Sequence, residues 1–186
     1  MALVWILSIG AGLGYLQKYA STPALDGSPS LCWPADSQLT FDSTNVTLLV
    51  FAHPRCPCTR ATIGELGVLM ARCQGKIRAQ VVFFEPNDCE NDWAKTDLWR
   101  SAAAIPGVTV RLDKGGLEAR CFKVKSSGHA LLFDSKGELL FSGGITSARG
   151  HSGDNAGRSA IVTQITGASS AIRKTPVFGC SLVDRE

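Results

Sequence analysis

The chain has 186 residues, 45% of them hydrophobic, enough for one ordinary domain with a buried core and a short extension, which excludes disordered, collagen-like and low-complexity classes. Nineteen Lys and Arg against 16 Asp and Glu leave a net charge of +3 with no basic run, so nucleic acid is not an expected partner. Seven cysteines exceed what a reduced cytosolic enzyme usually carries, are too few for a small disulfide scaffold, and leave at least one thiol over, which points to export and to redox or metal chemistry.

The first seventeen residues carry no charge, and the first charged side chain is Lys18. As a helix they would rise about 26 Å, the lower limit for a bilayer core. Trp5 and Tyr15 would then sit near its two interfaces. Residues 1–18 are therefore expected to form a transmembrane helix, kept as an anchor or cleaved as a signal. The lack of Lys or Arg before the apolar run, and of an Ala-x-Ala site after it, favours the retained anchor. Gly10, Gly12 and Gly14 would make a poor helix for a soluble core. Residues 19–37, with their Pro, Gly and Ser, read as a linker, and one domain is expected over 38–186.

Within that domain, residues 46–52 are a β-branched and aromatic run with the continuous apolarity of a strand buried on both faces. A helix is expected over 59–73, with Ile63, Leu66, Leu69, Met70 and Cys73 on its apolar face and Gln74-Gly75 as its stop. Then follow a strand at 80–85, a helix at 90–103, a strand at 108–112 and a short helix at 117–122. Two strands, 130–133 and 138–141, flank a glycine-bearing loop as a hairpin, and a last helix is expected over 155–167. Parallel β-α-β units followed by a hairpin and a closing helix predict a three-layer α/β/α sandwich around a central mixed sheet.

The chemistry concentrates in His53-Pro54-Arg55-Cys56-Pro57-Cys58-Thr59-Arg60, where the first strand turns into the first domain helix. Pro57 suits the first helical position and biases Cys56 towards the extended backbone of an N-cap. Cys56 then sits at the positive end of the helix, where free N–H groups, with Arg55 and Arg60 nearby, favour a thiolate. That makes Cys56 the expected nucleophile. Cys58, two residues on, lies roughly 5.5 Å away between Cα atoms, within bridging range through a strained and easily reduced disulfide. A second reading is metal: His53, Cys56 and Cys58, with His151, offer imidazole and thiolate ligands suited to copper or zinc. No further Cys-x-x-Cys completes a structural zinc site.

These residues resemble the thioredoxin superfamily, particularly membrane-tethered members of the TlpA/ResA kind, over most of the chain after Gln38. The strings His-Pro-Arg-Cys-Pro-Cys-Thr-Arg-Ala, Ser-Gly-His, Gly-Gly-Ile-Thr, Arg-Gly-His-Ser-Gly-Asp-Asn-Ala-Gly and Thr-Pro-Val-Phe-Gly-Cys are similar to a bacterial group called RedB. The resemblance implies a thioredoxin-like fold and puts Cys56 on the exposed attacking cysteine. Thr59 falls where thioredoxins have their resolving cysteine, so Cys58, or alternatively Cys180, would resolve. Ser127-Gly128 falls where they carry Thr and a cis-proline that presents the substrate backbone. Asp134 and Gly137 match the hairpin turn of TlpA-type proteins.

The polar, glycine-rich stretch 143–158 has two readings. Asp154 or Asn155 caps the last helix; or His151 and Arg149 reach the active turn as proton donor, metal ligand or anion cradle. Cys180, in the terminal Thr-Pro-Val-Phe-Gly-Cys string, is a packing residue or a partner of Cys56. Cys73 belongs to the core, and His129 is expected to be structural. Cys32, Cys89 and Cys121 could pair in several ways. The sequence thus predicts a membrane-anchored, extracytoplasmic thiol–disulfide oxidoreductase without a cofactor. It would act on a protein or small-molecule disulfide with electrons from a membrane or periplasmic thiol donor. The alternative is a copper or zinc carrier on the same fold.

Overall fold

The computed structural model of the chain describes residues 2–25, 27–90, 92–167 and 170–182. Position 1 of the expected anchor, position 26 of the expected linker, position 91 of the expected second helix and positions 168–169 and 183–186 of the expected domain lie outside the described residues.

The elements run α1 (Ala2–Ser21), β1 (Val46–Ala52), α2 (Pro57–Arg72), β2 (Ile77–Glu85), α3 (Asp97–Ala103), β3 (Val108–Lys114), α4 (Leu117–Cys121), β4 (His129–Phe133), β5 (Leu139–Gly144) and α5 (Ala156–Ile165). The five strands form one sheet in the order β3-β2-β1-β4-β5. β1 pairs parallel with β2, Val50 opposite Val81, and antiparallel with β4, Val50 opposite Ala130. This central position explains its unbroken apolar sequence, since a strand covered on both faces has no solvent side to make polar. α2, α3 and α5 supply Ile63, Leu66, Leu69, Leu98, Ala102 and Ile161 to the core on one face of the sheet. Phe122, Val124, Leu131, Phe133 and Leu182 close the other face. Cys73 lies fully buried in the first of these cores.

Two expected helices are corrected. α3 starts at Asp97 rather than near Glu90. Asp92 has a φ of 70° and Thr96 is extended, so the chain around the buried Ala94 turns before it can coil. The transmembrane helix is also overturned: α1 is a 20-residue helix, but no helix among the described residues is long and apolar enough to cross a membrane. Ser8, Gln17, Lys18 and three glycines dilute the apolar run. None of its described side chains is buried, and Leu3, Trp5, Leu7 and Leu16 all face outward.

Residues 22–25 and 27–37 run along the domain. Ala24 N–H donates to the Val177 carbonyl and Trp33 N–H to that of Gly137 (both 2.8 Å). The Trp33 ring sits 5.2 Å from each of Phe41, Phe122 and Phe133. The C-terminal stretch is equally tied down. Lys174 bridges Ser142 beside β5, Ser181 bridges Ser126, and Val177, Phe178 and Leu182 are buried.

Candidate active site

β1 ends at Ala52, and the chain turns through 53–56 into α2. Pro57 stands at the head of the helix and Cys56 is its N-cap, extended at φ −90° and ψ 121°, as the Cys-Pro pair requires. Cys56 is only 2% exposed. Its Sγ lies 2.7 Å from the Sγ of Cys180, which comes from the other end of the chain. Cys58, in the first turn, is also buried and interacts with Cys56 and with Arg149. Three thiols and one guanidinium therefore meet at the N-terminus of α2.

The loop 126–128 that leads into β4 holds this arrangement together. Ser127 Oγ accepts the His53 N–H (2.9 Å) and lies 2.8 Å from Thr59 Oγ1. Thr59 donates in turn to the His53 carbonyl (3.1 Å), so the Ser127 hydroxyl proton is left for Thr59 Oγ1. Gly128 occupies the left-handed region at φ 85°, and its N–H donates to the Phe51 carbonyl (2.7 Å), a bond that proline could not make. On its far side Ser127 N–H donates to the Cys180 carbonyl (2.8 Å), and Leu182 N–H to that of Lys125 (2.9 Å). Gly179 makes this approach possible: a Cβ there would lie 1.9 Å from the Ser127 carbonyl oxygen. The loop thus seats the active turn on one side and presents Cys180 to it on the other.

Burial opposes ionisation at Cys56. Hydrogen bonds from the Cys180 thiol and from the backbone N–H groups of Cys180, Cys58 and Thr59 outweigh it, so its pKa falls below the ordinary thiol value. Burial, the hydrogen bond it gives to Cys56, and the negative charge of Cys56 and Cys58 push Cys180 up to about 12, with Arg149 acting against the rise. Cys58 is likewise raised, by burial and then by the Cys56 charge, again opposed by Arg149. Of the three thiols, Cys56 is therefore the one that most readily carries negative charge.

The cation is not the one expected from the flanking arginines. The Arg55 guanidinium lies 4.5 Å over the Trp93 ring, and Arg60 pairs with Asp97 on the surface (2.5 Å). Arg149 takes that place. It donates to the Gly179 carbonyl (2.6 Å), lies 5.1 Å from the Tyr19 ring centroid, and its own N–H donates to the Ala20 carbonyl. The loop carrying it is fixed to α2 by the buried carboxylate of Glu65, which accepts from Gly153 N–H, Asn155 Nδ2 and the Arg158 guanidinium. Asn155 is the N-cap of α5, its side chain accepting the Arg158 N–H (2.8 Å), while Asp154 pairs with the Arg158 guanidinium.

The remaining candidates fall elsewhere. The His53 ring stacks on Phe84 and meets Trp93 edge-on, and its Nδ1 accepts the Arg55 N–H. His151 is exposed, and His129 is buried with Nε2 2.8 Å from Ser142 Oγ. Among the described residues no three His, Cys, Asp or Glu side chains are grouped to hold a metal ion, so the His53, Cys56, Cys58 and His151 set is not assembled. Sequence patterns had no means of singling out Tyr19 or the Ser127 hydroxyl, whose partners lie far away in the chain. Arg149 was visible in its polar loop as a residue near the active turn, and the structure adds its interaction with Cys58.

No protein-family model matches the sequence, and no curated protein matches it. Among solved structures, a hypothetical protein from Sinorhizobium meliloti is similar at 17% identity, over 83% of this chain and 94% of that one, with a TM-score of 0.65. An uncharacterized conserved protein from Geobacillus kaustophilus is similar at 14% identity, over 89% and 93%, with a TM-score of 0.63. StoA from Bacillus subtilis matches at 15% identity, over 78% and 98%, with a TM-score of 0.49. The fold is thioredoxin-like. The parallel β1-α2-β2 unit, the β4-β5 hairpin and the closing α5 follow the element order expected from the sequence, and the structure adds the strand order β3-β2-β1-β4-β5.

Proposed function

We propose that the protein is a thiol–disulfide oxidoreductase whose working couple is Cys56 and Cys180, cycling between two thiols and one disulfide and passing two electrons to or from a sulfur substrate. The observation that carries this reading is the 2.7 Å approach of the two sulfurs at the helix N-terminus. A thiolate stabilised there is both a competent nucleophile and a good leaving group. Cys58, the second cysteine of the Cys-Pro-Cys turn, is a protonated neighbour of the couple. Its own bridge to Cys56 would close a very small, strained ring.

The partners that fit this chemistry are protein or small-molecule disulfides and a thiol donor. The cysteine content supports an extracytoplasmic location, and the exposed apolar side chains of α1 support attachment at a membrane surface rather than across it. The RedB-like strings support kinship with that group.

A redox titration of the full chain against glutathione buffers, with thiols alkylated and counted by mass, tests the reading. One reversible two-electron transition is expected in the native protein and none in Cys56→Ser or Cys180→Ser. Independent one-thiol behaviour at both cysteines would refute it.

A further inference from the structure

Thioredoxin logic makes the cysteine at the head of the helix the one that meets the substrate. Here it is the sealed one. Cys56 is 2% exposed and Cys58 8%, whereas Cys180 is only half-buried. The residues on either side of Cys180, Gly179 and Ser181, line a cavity of about 260 Å³ together with Ser126, Arg149, Pro23 and Leu25. Arg149 supplies a cation to this cavity, and its Nη1 is held by the Gly179 carbonyl next to Cys180. Arg149 and the two neighbours of Cys180 thus border this cavity, and neither Cys56 nor Cys58 is among its lining residues.

We propose that Cys180 is the sulfur at which substrates react, that the substrates are thiols entering as thiolates through the Arg149 cavity, and that Cys56 is the leaving thiolate. This deepens the oxidoreductase reading and rests on it. In the disulfide form, a client thiolate attacks Sγ of Cys180. The new bond joins client and Cys180, the Cys56–Cys180 bond breaks, and its electron pair departs on Cys56. A second client thiolate then attacks the client sulfur of the mixed disulfide. Cys180 leaves as a thiolate and takes up a proton, and the two client thiols have become a disulfide, having given two electrons to the protein. A small-molecule disulfide, by the reverse exchange, restores the Cys56–Cys180 bond. The same asymmetry appears in the acidities. Exchange expels the sulfur that better carries charge, and hydrogen bonds lower Cys56 while burial and neighbouring thiolate charge raise Cys180.

The test uses the full chain, oxidised with oxidised glutathione and freed of reagent, then given a brief pulse of reduced glutathione as the probe thiol. The pulse is stopped with N-ethylmaleimide, and the peptides are mapped. Glutathione on Cys180 with maleimide on Cys56 is expected, in about tenfold or greater excess over the reverse pattern. Glutathione mainly on Cys56 or Cys58, or on none of the three, overturns the inference while leaving the redox couple intact. If oxidation produces no Cys56–Cys180 disulfide, the underlying reading fails, and this inference with it.

Discussion

The two ends of the chain behave opposite to their composition. α1 is the most continuously apolar segment, yet none of its described side chains is buried. The tail from Lys174 to Leu182 is short and forms no helix or strand, yet Val177, Phe178 and Leu182 are in the interior and Cys180 lies 2.7 Å from Cys56. Apolarity says what a segment would gain from burial. Whether it is buried depends on where backbone partners and close approaches let it lie. In the tail, the bonds between Ser127 and Cys180 and between Lys125 and Leu182 decide, together with a glycine that lets the two segments touch.

The largest effects should come from breaking the tail's side of this contrast. Closing a loop between residues 124 apart in sequence, a Cys56–Cys180 disulfide should stabilise the oxidised protein over the reduced by about 4–5 kcal/mol, read from urea melts of the two forms. Gly179→Ala should lower the yield of that cross-link about tenfold, because its Cβ would collide with the Ser127 carbonyl. Equal stability of the two forms, with normal cross-linking in the glycine variant, would mean that the tail does not seat Cys180.

Glu65→Ala comes next. It leaves the Arg158 guanidinium buried without its carboxylate and frees the loop that carries Arg149, so a loss of about 3–5 kcal/mol is expected. A loss below about 1 kcal/mol would show the network to be dispensable.

A milder lever is pH. The folded protein keeps the Cys180 proton up to about 12, whereas the unfolded chain releases it near 9.0. The folded state thus binds more protons above 9.0, and the stability due to Cys180 is complete below that value and is lost as pH rises towards 12. Denaturation of the reduced protein at rising pH should show this decline, and Cys180→Ser should flatten it. An unchanged slope in that variant would assign the decline to other thiols.

The smallest effects should come from the other end of the chain. Tyr19→Ala removes one stacking contact with Arg149 and should cost up to about 1 kcal/mol, and alanine at the outward Leu3, Trp5 or Leu7 should leave the domain's melting unchanged. A large loss from any of the three would show that α1 is covered by the domain after all.

How much of this was legible follows the range of the contacts. β1 and the start of α2 are written locally, in a continuous apolar run followed by Cys-Pro, and both elements lie where the sequence places them. So do the β4-β5 hairpin and the Asn155 cap of α5. The second helix is shorter than its apolar pattern because Ala94 is buried, and Trp93 partly buried, from a turn rather than from a coil. The site divides in the same way. Cys56 and Pro57 are readable from the sequence of the turn, whereas the sulfur facing Cys56 is 124 residues away, and its cation comes from a loop held by a buried carboxylate on α2. Those contacts depend on tertiary packing, which no local spacing encodes.

The most direct measurement is a disulfide map of the full chain after mild oxidation, with free thiols blocked before digestion. A peptide pair joining Cys56 to Cys180, with Cys58 recovered alkylated, is the predicted result. A Cys56–Cys58 bridge with Cys180 alkylated would contradict it and return the chemistry to the Cys-Pro-Cys turn alone.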